Sequence, residues 1–159
     1  MNIRPASKDD DGFLKTMLYE AARWNPDWPR EPMAEVLDEP ILRRYHEDWG
    51  RTGDGGMIAE FEGEPVGAAW YRLFTEAAPG YGFVDEKTPE ISIAVAPLHR
   101  RKGIGGTMLR AAMVQAREEG YQALSLSVAV HNRSRMLYQR VGFEKVGEEG
   151  ESWTMLVNL

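Results

Sequence analysis

The chain reads as an α/β (α+β) fold with about seven strands, and three observations carry that reading. Segments that alternate apolar and polar residues are interleaved with segments of helical period, in the order β-α-α-β-β-β-α-β-α-β-β. One of those strands runs through a short basic turn into three glycines that open a helix. At 159 residues and 43% apolar, the chain fits one domain, residues 1–159, with a core that buries about 70% of the unfolded surface.

Asn2–Pro5 is the first strand. Ser7 and Asp10 make a capping box, each side chain serving the other's backbone N–H. Phe13, Leu14, Met17, Leu18 and Ala21 then recur at helical spacing. The run Trp24-Asn-Pro-Asp-Trp28-Pro ends that helix, because proline cannot continue it. A second helical stretch begins near Pro32 with Met33, Val36 and Leu37; Pro40 breaks it, and a further segment carries Ile41, Tyr45 and Trp49. Asp54-Gly-Gly is a turn. Met57–Phe61 and Val66–Thr75 alternate as strands around Glu62-Gly-Glu-Pro, a hairpin signal. Glu76–Pro89 is a Gly-, Pro- and acid-rich connection of a length at which loops often act as lids.

Glu90–Ala96 is the next strand, with Ile91, Ile93 and Val95 on one face. The following helix, Ile104–Glu119, buries Ile104, Met108, Leu109, Ala112 and Ala116 and stops at Gly120. Ala123–Val128 is a strand, 133–141 a helix, and 143–148 with 152–158 the closing antiparallel pair.

The stretch Ile91–Gly106 is the most informative. Backbone N–H groups at a helix start lack partners, and the aligned peptide dipoles favour negative charge beside them. Glycines at 103, 105 and 106 remove the side chains that would keep an anion from those donors. His99, Arg100, Arg101 and Lys102 place basic groups just ahead. Such a site suits a diphosphate. A Walker loop is excluded because Gly103 follows Lys102 instead of preceding it. A dinucleotide fingerprint is excluded too: Met108 stands where its third glycine belongs, and no acid lies between Leu124 and Val130.

The pattern Arg100-x-x-Gly103-x-Gly105-Gly106 after a strand resembles the acyl-CoA signature of the GNAT N-acetyltransferases. A second segment, Asn132-Arg-Ser-Arg-Met-Leu-Tyr138-Gln-Arg-Val-Gly142-Phe143, resembles that family's later motif, in which an Asn caps a short helix that ends in Gly-Phe and carries a Tyr on its cofactor side. The resemblance covers roughly residues 89–158. It implies a mixed, mostly antiparallel sheet with helices on both faces, in which the fourth (90–96) and fifth (123–128) strands lie parallel and splay apart. It also implies an acyl-CoA-binding half, 89–158, and a variable acceptor-side half, 1–88.

The implied activity is transfer of an acetyl group from acetyl-CoA, as co-substrate, to an amine of a small molecule or peptide, by direct attack in a ternary complex. Two alternatives stand beside it: a catalytically silent acyl-CoA-binding or sensor module, and the same fold using a longer acyl-CoA. By the resemblance, backbone N–H groups of Arg101, Lys102, Gly103, Ile104, Gly105 and Gly106 take the pyrophosphate, and Thr107 belongs to the same cofactor-binding set. Arg100 or Lys102 adds charge-assisted contacts. Main-chain groups of Ile93, Ala94 and Val95 orient the pantetheine and the acetyl carbonyl, with the Val95 N–H as oxyanion donor. Tyr138 is the expected general acid, a phenol having a reference pKa near about 10, comparable to a thiolate's. Asn132 caps its helix and touches the cofactor.

Glu90, at the start of the fourth strand, is the expected base, directly or through water. A one-residue register error would exchange it with Ile91 on the opposite face. His131, His46 or water alone are the alternatives. Trp24, Trp28, Tyr45, Trp49, Tyr81 and Phe83 either line an acceptor pocket or belong to the core.

Charge narrows the partners. The net charge of −6 argues against general nucleic-acid binding. Residues 1–90 hold ten Lys/Arg against nineteen Asp/Glu, whereas 91–159 hold nine against six, so the basic half is where an anionic co-substrate belongs. An acidic half draws an ammonium-bearing acceptor. With no cysteine, disulfides and thiolate metal sites are excluded, and no metal is expected. Asp9–Asp11 interrupts any basic-then-apolar leader and no apolar run nears the ~20 residues of a membrane span, so a cytoplasmic protein off the membrane is expected. The family's exposed final strands often pair between subunits, which leaves room for a homodimer.

Overall fold

Twelve elements follow one another along the chain, which a computed structural model describes from Met1 to Leu159. They are β1 (Asn2–Pro5), α1 (Asp11–Ala22), α2 (Met33–Leu37), α3 (Pro40–His46), β2 (Gly55–Phe61), β3 (Glu64–Arg72), β4 (Glu90–Val95), α4 (Ile104–Glu118), β5 (Ala123–Ala129), α5 (Ser134–Val141), β6 (Glu144–Glu149) and β7 (Ser152–Asn158). The strands make one sheet in the order β1-β2-β3-β4-β5-β7-β6. Every neighbouring pair is antiparallel except β4 and β5, which run parallel. The mixed, mostly antiparallel sheet is as expected.

Local chemistry sets the element ends. Ser7 and Asp10 form the capping box: the Ser7 N–H donates to Asp10 Oδ2 at 2.7 Å, and the Asp9 N–H to Ser7 Oγ at 3.3 Å. The box caps a 3₁₀ turn, Lys8–Asp10, that leads into α1. Pro40 ends the preceding stretch and begins α3 at its first turn, where a missing N–H costs nothing. The β2–β3 hairpin is tighter than the sequence suggests. Phe61 pairs with Glu64, leaving a two-residue loop of Glu62 (φ 53°) and Gly63 (φ 82°). Positive φ at both positions matches the twist of the flanking strands, so β3 starts at Glu64 instead of Val66, and it ends at Arg72 instead of Thr75.

The sheet separates two apolar layers, because successive side chains of a strand face opposite sides. Met108, Leu109, Ala112 and Ala116 of α4 pack with Ala69, Tyr71, Ile91, Leu124 and Leu126 on one face, where Tyr138 of α5 also lies. On the other face Leu14, Met17 and Leu18 of α1 meet Val36, Leu42, Tyr45, Ala68 and Trp70. No helix is long and apolar enough to cross a membrane.

One buried ion pair was not foreseen. Arg72, at the end of β3, gives Nε and Nη2 to Asp54 at 2.9 and 2.7 Å, and both side chains are 2% exposed. Its Nη1 donates to the carbonyls of Arg44 and Glu47 at 3.0 and 2.6 Å. The pair ties the end of β3 to the segment after α3.

Leu109, with no exposed surface, is central to the α4 layer. Leu109→Ala is expected to cost about 2–5 kcal/mol in chemical denaturation, the usual range for a buried leucine truncated beside neighbours that relax only partly.

Candidate active site

The parallel pairing of β4 and β5 consists of a single rung. Glu90 is in register with Ser125, whose N–H donates to the Pro89 carbonyl at 3.0 Å. Beyond that rung the strands diverge around a cleft of about 1120 Å³. The Ala96 N–H donates to the Val66 carbonyl at 2.8 Å, which fixes the even residues of β4 as those bonded to β3. Ile93 and Val95 therefore turn their N–H and C=O groups into the splay, while the Ile91 N–H belongs to the rung itself. Of the expected trio, Ile93 and Val95 present main chain to the cleft, whereas Ala94 gives its own to β3. Arg100 Nε holds the Val95 carbonyl at 2.9 Å, and Nη2 reaches Glu20 of α1 at 3.1 Å.

The turn ahead of α4 forms the basic end of the cleft. None of the N–H groups from Arg101 to Gly106 finds an acceptor within the chain; the first bond of α4 is Thr107 N–H to Gly103 O at 3.2 Å. Arg101 (φ 62°) and Gly103 (φ 81°) are both left-handed, which turns successive donors outward in the manner of an anion-binding nest. A side-chain carbon at Gly105 would meet Leu137 only at 3.5 Å, an ordinary contact, so packing does not explain the glycine. Arg101, Gly103, Ile104, Gly105 and Gly106 line the cleft together with Arg100. Lys102 and Thr107 do not; the Thr107 hydroxyl is spent on Gly103 O at 3.0 Å.

Tyr138 enters the cleft from α5 and is 7% exposed. Its helix ends at Gly142 (φ 116°), and the N–H groups of Gly142 and Phe143 return to the Tyr138 carbonyl at 3.2 and 2.9 Å. Phe143 then packs its ring 6.0 Å from that of Tyr138, so the Gly-Phe ending fixes the tyrosine. Burial raises the phenol above its ordinary range, offset in part by Ser134. Asn132 lines the cleft with its side chain engaged, Oδ1 accepting the Ser134 N–H at 2.9 Å.

Glu90 lies on the α1–α3 face of β4, fully buried. The Tyr45 hydroxyl makes a short hydrogen bond to Oε2, and the Gly82 N–H donates to Oε1 at 2.9 Å. The Tyr81 N–H in turn donates to the Tyr45 hydroxyl at 2.7 Å. Burial pushes the Glu90 carboxyl up to about 7, against the smaller opposing pull of these donors. The loop 76–89 thus clasps the carboxylate. Gly82 sits directly on β5, where a side-chain carbon would come within 2.5 Å of the Leu126 carbonyl carbon and 2.7 Å of the Ser127 nitrogen. Only glycine fits there. Sequence reasoning missed the Gly82 contact and the pairing of Tyr45 with Glu90; the glycines at 80 and 82 flanking Tyr81 were the available signal.

The far end of the cleft is aromatic. Trp24 and Trp28 meet edge-on at 5.2 Å, and Tyr81 stacks on Tyr45 at 6.2 Å. Trp49 and Phe83 lie outside it, Trp49 donating to Ser7 O and Phe83 packing in the core layer. His131 lines the cleft; His46 does not, its Nε2 lying 2.9 Å from the Leu37 carbonyl.

A seven-stranded mixed sheet split at one parallel junction, with a bare helix start at its mouth, is the arrangement that the sequence resemblance implies. The chain belongs to the acetyltransferase (GNAT) family, whose model matches residues 15–143. It is 37% identical over 92 residues to the uncharacterized N-acetyltransferase YhfO of Bacillus subtilis, a match covering 56% of this chain and 58% of that protein. It is 32% identical over 118 residues to the streptothricin acetyltransferase of Streptomyces lavendulae, covering 69% of this chain and 60% of that one. The chain therefore spans about three fifths of the length of these two relatives. Among solved structures, the ribosomal-protein-alanine N-acetyltransferase of Brucella melitensis superposes with a TM-score of 0.70 at 25% identity, each chain covered in full.

A buried carboxyl raised from 4.5 to about 7 stabilises the fold below the lower value and loses that contribution as pH rises through the upper one. Glu90→Gln carries no such term. The melting temperature of the variant, relative to wild type, is expected to rise steadily between pH 4.5 and 7.5; a constant difference in thermal scans refutes the burial of an ionisable Glu90.

Proposed function

We propose that this chain is an N-acetyltransferase that takes the acetyl group of acetyl-CoA and places it on a primary amine of a small molecule or a peptide. One observation carries this reading. Six consecutive unpaired N–H groups, Arg101 to Gly106, all but Lys102 on residues that line the cleft, lead into the unpaired main-chain edge of β4 beside Glu90 and Tyr138. A pyrophosphate fits the first group and an extended pantetheine amide the second. The relatives named for acetylating streptothricin and a ribosomal-protein alanine support an amine acceptor.

Acetyl-CoA supplies a thioester whose C–S bond is exchanged for the C–N bond of the product. The chain's residues do the rest. Glu90, half ionised near neutrality, accepts the proton of the incoming ammonium, directly or through water. The Val95 N–H, facing the splay, donates to the acetyl oxygen as negative charge grows there. Arg100 fixes the Val95 carbonyl and so the strand that carries this donor. Tyr138 stays protonated at every working pH and delivers its proton to the departing sulfur, whose own affinity for a proton rises with the same burial. Trp24, Trp28 and Tyr81 give the acceptor an apolar wall. The excess of acidic residues in the 1–90 half of the chain draws it in as a cation.

Calorimetry with coenzyme A is expected to show one site per chain, and absence of binding overturns the assignment. Free-thiol release from acetyl-CoA across polyamines, aminoglycosides, amino acids and N-terminal peptides then identifies the acceptor; binding with no release on any of them identifies a silent acyl-CoA module. Tyr138→Phe is expected to lower kcat roughly 10- to 1,000-fold with coenzyme A binding intact. The kcat/KM profile of the wild type is expected to rise with pH through a limb near 7, which Glu90→Gln removes.

A further inference from the structure

Arg72 and Glu90 stand directly opposite each other on β3 and β4. Their side chains leave the same face of the sheet, under α3, from positions about 5.5 Å apart at Cα. Opposite charges so placed pair readily, and an arginine is long enough to span the gap. They do not pair here. Four of the five N–H groups of the Arg72 guanidinium go to the two oxygens of Asp54 and to the carbonyls of Arg44 and Glu47. Glu90 is met by neutral donors, Tyr45 and the Gly82 N–H.

The remaining groups around Glu90 do not change that balance. From α3, Arg44 sends its guanidinium to the Pro79 carbonyl at 2.7 Å, and Tyr45 is held un-ionised by burial. From the loop 76–89, Tyr81 offers its ring to Tyr45 and its N–H to the Tyr45 hydroxyl. From β5, Ser125 is in register with Glu90 and carries a buried hydroxyl with no partner in the chain, polar but uncharged.

We propose that Asp54 is a positioning residue for the catalytic carboxyl: by pairing with Arg72 it holds that cation away across the ladder and leaves Glu90 without a counter-ion. The arrangement reconciles a buried arginine and a buried base on adjacent rungs. A freed Arg72 would swing to Glu90 and lock it as a carboxylate too weak to take an amine's proton. The catalytic consequence rests on Glu90 being the base; the partition of charge does not.

Two substitutions with opposite signs test it. Asp54→Asn frees the Arg72 charge and is expected to lower the Glu90 midpoint by about one pH unit, within the range for a carboxyl gaining a nearby cation. Arg72→Gln leaves the Asp54 charge nearby and is expected to raise the midpoint. Both are read by carbon-13 titration of the Glu90 carboxyl, assigned with Glu90→Gln, and by the acidic limb of kcat/KM. Shifts in opposite directions support the proposal. No shift, or shifts of the same sign, reduces the pair to a structural brace and overturns it. Removing one partner of a buried ion pair is often strongly destabilising. The wild-type titration therefore stands as an independent test: a Glu90 midpoint at the ordinary 4.5 or below means the carboxyl already has a counter-ion, and the proposal falls. If the carbon-13 midpoints move oppositely while the rate profiles do not follow, the charge partition holds and Glu90 is not the base.

Discussion

A single rung of hydrogen bonding between two parallel strands governs this molecule. With β4 joined to β5 only at Glu90 and Ser125, the later residues of β4 keep one edge of their backbone unpaired. A buried unpaired amide costs free energy, so such an edge persists only where it faces solvent or a ligand that completes it. The divergence also brings the turn before α4, the end of α5 and the aromatic residues after α1 around one space. Gly82, pressed on the Leu126–Ser127 peptide, lays the loop 76–89 across β5 next to that rung. Arg100, bonded to Val95 O and Glu20, ties the tip of β4 to α1.

The electrostatics of the cleft follow from where cations are spent. Arg72 goes to Asp54, Arg100 to a carbonyl and Glu20, Arg44 to a carbonyl. Arg101 and Arg110 also line the cleft, in no ion pair, so the basic end offers side-chain charge beside its main-chain donors. The aromatic end holds a carboxyl whose midpoint burial raises toward neutral pH. Main-chain donors lose little entropy on binding an anion because the turn already fixes them. A carboxyl without a counter-ion has a proton affinity suited to chemistry near neutral pH. Both ends use the same device: groups held ready, their usual partners directed elsewhere.

Much of this was legible in the chain. The alternation of Glu90–Val95, the glycines after Lys102 and the Asn132-to-Phe143 run each encode local geometry, and each formed the element expected of it. The Glu90 face was also readable, since a strand's period of two fixes which residues share a side with it. The hairpin was read too long because the two-residue loop at Glu62-Gly63 depends on left-handed φ at a glutamate, which composition does not advertise. Of the six aromatics, the sequence could not separate Trp24, Trp28, Tyr45 and Tyr81, which reach the cleft, from Trp49 and Phe83, which do not.

The sequence by itself determined the order of elements, the unpaired donors of the 101–106 turn and the face of its strand on which Glu90 stands. These are local properties, set by φ preference, side-chain period and the donors a residue carries. Tertiary structure alone decided that β4 and β5 meet at one rung, that Ala94 turns its main chain away from the cleft, and that Tyr45 and Gly82 clasp Glu90. It also decided that Arg72 belongs to Asp54, 18 residues away, and not to the glutamate beside it in the sheet. Competition among buried charges depends on which partners the fold holds within hydrogen-bond distance, and register and packing settle that across the whole chain.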